Sequence, residues 1–188
     1  RRLLRAACLA GNVFFRGNDR SPGENAVDVG RSASEVLGKV LPQVFERFKE
    51  ASAKPGDVKK GLEALLTAEN LRGLPPVFAS LGLLRDEKGK PVFRTECGPL
   101  AEVLSRITER ANYGESASGR LLSEEFAKEP FGWEFEAVRL FVLALLRAGI
   151  IDATTKGQTI DSATSHDARE TFSNNNLFRQ ASFRPRKG

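Results

Sequence analysis

Apolar residues recur at helical spacing along most of this chain and give way to short strand-like runs beside glycines. The clearest stretch is Glu124–Ile160, EEFAKEPFGWEFEAVRLFVLALLRAGIIDATTKGQTI. The pattern predicts a short helix capped by Ser123 and running to Lys128, then a Pro-Phe-Gly-Trp turn. A long helix starts at Trp133. Phe135, Val138, Leu140–Leu143, Leu145 and Leu146 cover nearly its whole circumference, so it should be buried on most sides. Gly149 stops it. Ile150–Thr154 and Gln158–Asp161 then pair across Lys156-Gly157.

Helix, tight turn, helix and hairpin in that order outline a winged-helix module, which binds DNA or protein surfaces. Residues 57–93 repeat the outline more faintly. Asp57 caps a helix through Leu62, Leu65 and Leu66, Pro75-Pro76 opens a short helix through Val77 and Phe78, and LLRDEKGKPVF (83–93) forms a hairpin. Upstream, residues 2–10 have a short amphipathic helix pattern, Val13–Arg16 a strand, 17–25 a loop and Ala26–Val29 a second strand. Ser32 and Glu35 form a capping box for a helix running to about Glu50, with Pro42 predicting a kink and Val36, Val40, Val44, Phe45 and Phe48 buried.

Gly98-Pro99 opens a further helix to Tyr113-Gly114. GESASG (114–119) is the expected joint, dividing the chain into 1–114, with the possible first unit at 57–93, and 115–188. After that come a helix over Ser165–Phe172 and an extended strand over Leu177–Phe183 that ends in a basic stub. The expected class is α+β, mostly helical, with two winged-helix-like units and short flanking strands.

Composition excludes several classes. Hydrophobic residues make up 40% and charged residues 28%, an ordinary globular balance for one large or two small domains. No apolar run approaches the roughly 18 residues that span a bilayer, and no signal-peptide pattern follows Arg1-Arg2. There is no methionine, and the chain opens on Arg1 inside a helical pattern, which suggests a piece of something longer. Cys8 and Cys97 are far apart, which suggests reduced thiols in a cytoplasmic protein. His166 stands alone, so no metal site is expected. Net charge is +5, concentrated at the two ends. That gives only weak reason to expect nucleic acid.

Two groups of residues stand out. Phe131, Gly132 and Trp133 form either a partner-docking knob or a packing anchor for the long helix. That helix offers only Glu134, Glu136, Arg139 and Arg147 as charged groups, so it is ill-suited to base readout. Lys156 on the wing and Arg179, Arg184, Arg186 and Lys187 in the tail are the expected contacts to DNA phosphates, without sequence reading. Asn174–Asn176 suit either such contacts or a helix cap. Gly38-Lys39 and Gly89-Lys90 lack the spacing of a phosphate-binding loop, and one histidine supports no catalytic triad. No enzyme activity and no cofactor is expected of these residues.

The segments ALLTAENLRGLPPVFASLGLL (64–84), ECGPLAEVLSRITERANYG (96–114), EPFGWEFEAVRLFVLALLRAG (129–149) and ARETFSNNNLFRQASFRPRK (168–187) resemble the large P-loop ATPase of bacteriophage-exclusion (BREX) defence systems, the BrxC/PglY type. The resemblance implies a cytoplasmic parent protein that uses ATP and Mg and acts with a DNA methyltransferase and other partners against phage DNA. The ATP-binding motif of that family has no counterpart here. The implied role is a non-catalytic segment that mediates protein assembly, with contact to DNA backbone as a further expectation. The alternative is a stand-alone winged-helix DNA-binding domain.

Overall fold

A computed structural model of the chain describes residues 13–15, 18–20 and 29–188. The chain forms two compact units, Arg1–Glu46 and Arg47–Gly188. In the first, β1 (Val13–Phe15) pairs antiparallel with β2 (Asn18–Arg20), Phe14 facing Asp19. Residues 18–20, expected in a loop, are therefore a strand. The expected helix at 2–10 lies outside the described residues, as does most of the strand expected at Ala26–Val29.

Helix α1 spans Val29–Val44. It begins before Ser32, so Ser32 lies inside it and is not its N-cap. Pro42 sits two residues before its last residue, and the helix does not reach Glu50. Pro42 removes an N–H and crowds the turn before it, which favours an early stop. Phe48, expected in the core, is 42% exposed and opens a separate 3-10 turn, Phe48–Ala51.

The second unit carries α2 (Pro55–Thr67), α3 (Val77–Ser80), β3 (Leu84–Glu87), β4 (Lys90–Phe93), α4 (Gly98–Asn112), β5 (Ala117–Ser118), α5 (Gly119–Ala127) and α6 (Phe135–Arg147). It closes with β6 (Ile151–Thr155), β7 (Gln158–Ile160), α7 (His166–Ser173), α8 (Asn175–Gln180) and β8 (Ser182–Pro185). The class is α+β. Helix α2 starts on Pro55 with Lys54 at the N-cap position, so Asp57 is a first-turn acid and not the cap. Ser118, rather than Ser123, caps α5 by accepting from the Leu121 N–H at 3.1 Å.

Both expected hairpins form, β3–β4 and β6–β7. Each turns on Lys-Gly with two positive φ angles: Lys88 and Gly89 at 53° and 80°, Lys156 and Gly157 at 49° and 76°. That pair of left-handed residues matches the strand twist of a tight hairpin, and glycine takes the second at little cost.

The boundary expected at residue 114 falls inside the larger unit. Ala117 and Ser118 belong to a four-stranded antiparallel sheet of order β5-β8-β6-β7. One cross-strand row, Ala117, Phe183, Ala153 and Ile160, is buried. The alternate row, Ser118, Ser182, Thr154 and Thr159, lies on the opposite face, as the two-residue period of a strand requires.

The tail also differs from expectation. Leu177 starts no strand: residues 175–180 are helical, and the Asn174 side chain caps that helix by accepting from the Asn176 and Leu177 N–H groups. Only Ser182–Pro185 is extended, and it fills an interior position of the sheet. Its Phe183 is buried together with Phe172 and Phe178.

Candidate functional site

The Phe131-Gly132-Trp133 turn packs inward. Phe131 and Trp133 are buried, and Trp133 stacks on Phe126 with ring centroids 4.9 Å apart and meets Phe141 edge-on at 5.4 Å. Gly132 adopts φ 63°, a conformation that costs other residues energy. The aromatics fix where α6 begins, so the packing reading accounts for them.

Arg47 fastens this turn from the start of the unit. Its N–H donates to the Pro130 carbonyl at 3.0 Å, and its own carbonyl accepts from Trp133 Nε1 at 2.9 Å. Its guanidinium lies 5.0 Å from the Phe131 ring centroid and pairs with Glu50 and Glu102. The hydrogen bonds it donates to Glu50 and then to Glu102 hold the Arg47 pKa above its ordinary value against the effect of burial. Nothing in GlnValPheGluArgPheLysGlu (43–50) marks this role, because an arginine among charged residues has the pattern of a solvated helix face.

Helix α6 lies between the turn and the β6–β7 hairpin in the chain. Ala137, Val138 and every residue from Leu140 to Leu146 are buried. Helices α2, α4 and α5 and strand β6 all pack on it. Arg147, one of its few cations, donates to the Leu65 and Ala68 carbonyls, and Arg169 from α7 donates to the Leu66 carbonyl at 3.3 Å. Two arginines thus satisfy carbonyls at the C-terminal end of α2, where cations also complement the helix dipole.

Of the hairpin and tail cations, Lys156, Arg179, Arg184 and Arg186 are engaged locally, and Lys156 stands apart from the basic stub. Lys156 lies 3.4 Å from Glu170 in an exposed ion pair. Arg179 stacks on Phe135 at 4.5 Å. Arg184 donates to Ser116 Oγ at 2.6 Å. Arg186 donates to Asp152 at 2.7 Å and to the Asp161 carbonyl at 2.7 Å. Lys187 is exposed. Because Pro185 pairs with Ile151, the basic stub lies at the start of β6 and Lys156 just past its end. Strand rise separates those positions by roughly 15 Å along the strand.

No phosphate cradle is present at either glycine-lysine pair. Gly38-Lys39 lies within α1, and Gly89-Lys90 leads into β4. A P-loop needs a strand followed by a glycine-rich loop at a helix N-terminus, and neither pair has that setting. Among the described residues no group of three or more His, Cys, Asp and Glu side chains is placed to hold a metal ion, and no helix is long and apolar enough to cross a membrane.

Comparison with protein-family models, with curated proteins and with solved structures finds no match to this chain.

Proposed function

We propose that this chain is a non-catalytic, winged-helix-like assembly module of a phage-defence ATPase of the bacteriophage-exclusion type. The element order α4-β5-α5-α6-β6-β7 supports the winged-helix reading: helix, short strand, two helices, then a two-stranded wing. The resemblance of its segments to the BrxC/PglY type supports the setting.

One observation carries the choice of protein assembly over DNA reading. Helix α6 is buried from Ala137 to Leu146, apart from Arg139, with α2 packed along it. A helix enclosed in this way offers no row of polar side chains to the edges of bases. Contact with DNA backbone remains a secondary role, limited to the exposed wing and tail.

Co-expression tests the proposal. The chain is produced with a tagged methyltransferase and the other proteins of a bacteriophage-exclusion system, and complexes are separated by size. Stable co-elution with a system component, together with weak duplex binding, is the expected result. Tight DNA binding by the chain alone, with no protein complex, would instead establish a stand-alone DNA-binding domain.

A further inference from the structure

A cleft of about 350 Å³ opens between α2, the first half of α6 and the end of α7. That volume is at the small end of the roughly 300–1,000 Å³ range of ligand pockets. Its apolar side is Pro55, Val58, Leu62 and Leu66, all on α2. Its polar side includes Arg139 of α6.

Arg139 is in an unusual position. Its guanidinium lies 5.3 Å from the Phe135 ring centroid, and its NH1 nitrogen donates to Asn175 Oδ1 at 2.7 Å. Its Nε is buried and has no hydrogen-bond partner. None of the described carboxylates lies within ion-pairing distance of it. Arg179 rests on the same Phe135 ring at 4.5 Å. Burial lowers the Arg139 pKa most, Glu136 opposes it, and nearby Arg179 lowers it by less. A partly desolvated guanidinium beside a second one is costly unless an anion offsets the charge.

The geometry points to a binding site for one carboxylate carried on a short aliphatic body, its oxygens on Arg139 and its carbon chain against α2. A planar carboxylate matches the two terminal guanidinium nitrogens, the buried Nε being closed to a ligand. The cleft wall also carries Lys59, Glu63 and Glu136. Two acids in the lining oppose a doubly charged phosphate more than a single negative charge, which favours the carboxylate. The apolar wall provides for the aliphatic part. The cleft is formed by this chain's own residues and does not rest on the assembly role.

The experiment is a titration of the isotope-labelled chain with hexanoate, followed by amide chemical shifts, with hexanol and inorganic phosphate in parallel. Hexanoate should give saturable shifts confined to residues 56–66, 135–140 and 173, with a Kd of order 1–10 mM. Hexanol and phosphate should bind at least about tenfold more weakly, and Arg139→Gln should weaken hexanoate by a similar factor. Should Arg139→Gln not fold, the comparison of hexanoate with hexanol on the unaltered chain still reads the charge dependence. An equal response to hexanol, stronger binding of phosphate, or no saturable shift at these residues would overturn the assignment.

Discussion

Trp133 and Arg47 are 86 positions apart in sequence, yet the indole Nε1 of Trp133 donates to the Arg47 carbonyl at 2.9 Å. This bond ties the turn before α6 to the first residue of the larger unit. Removing the side chain takes away a buried aromatic, its stack on Phe126 and this bond together. Trp133→Ala should therefore cost about 3–5 kcal/mol in chemical denaturation. Trp133→Phe keeps a ring in the cluster but loses the bond, and should cost about 1–3 kcal/mol. A change under about 0.5 kcal/mol for the alanine variant would mean that the tryptophan is exposed in solution.

Gly119 is a second fixed point. A Cβ built there would lie 2.0 Å from the Phe178 carbonyl oxygen, a backbone atom. Gly119 also donates its N–H to the Ala181 carbonyl at 2.9 Å, so neither segment can move away without losing that bond. Gly119→Ala should destabilise the unit by at least about 1–3 kcal/mol, read by thermal and denaturant unfolding. A neutral result would require α5 and α8 to sit farther apart than they do here.

Arg186 and its neighbour Lys187 should behave differently. The Arg186 guanidinium joins Asp152 and the Asp161 carbonyl, and the pair is about one-third exposed on each side. Arg186→Ala should cost about 1–2 kcal/mol, since part of the network is screened by solvent. Lys187→Ala should stay within about 0.5 kcal/mol in the same unfolding assay.

Binding of duplex DNA, where it occurs, should be weak and indifferent to sequence. Arg179, Arg184, Arg186 and Lys156 already have local partners, and the last two positions bracket β6 rather than sharing one patch. Titration of unrelated duplexes at several salt concentrations should give a log–log slope no steeper than about −2. A slope near −5, or a tenfold or greater sequence preference, would show these cations released to act together on DNA.

Much of the local structure was legible in the chain. The all-round apolar pattern of α6, its stop at Gly149 and both Lys-Gly hairpins depend on periodicity and turn chemistry, which act over a few residues. Ser165 at the start of α7 is of the same kind, accepting from the Ala168 N–H at 3.2 Å. Helix starts were less legible where Pro55 and Ser118 displaced the expected caps, because several nearby residues could begin each helix and packing chose among them.

Tertiary structure alone decided the rest. Segment 114–119 has the composition of a flexible joint, yet Ala117 joins a buried cross-strand row with Phe183 and Gly119 lies against Phe178. Arg184 and Arg186 have the pattern of a free basic tail, yet sheet register sets them beside Ser116 and Asp152. Arg139 is one more cation on a helix until α2 and α8 close around it and leave its Nε unpartnered. The physical reason is common to all three. Sequence periodicity sets which face of an element is apolar, whereas the fate of a polar group depends on which distant segment covers it, and that follows only from the packed fold.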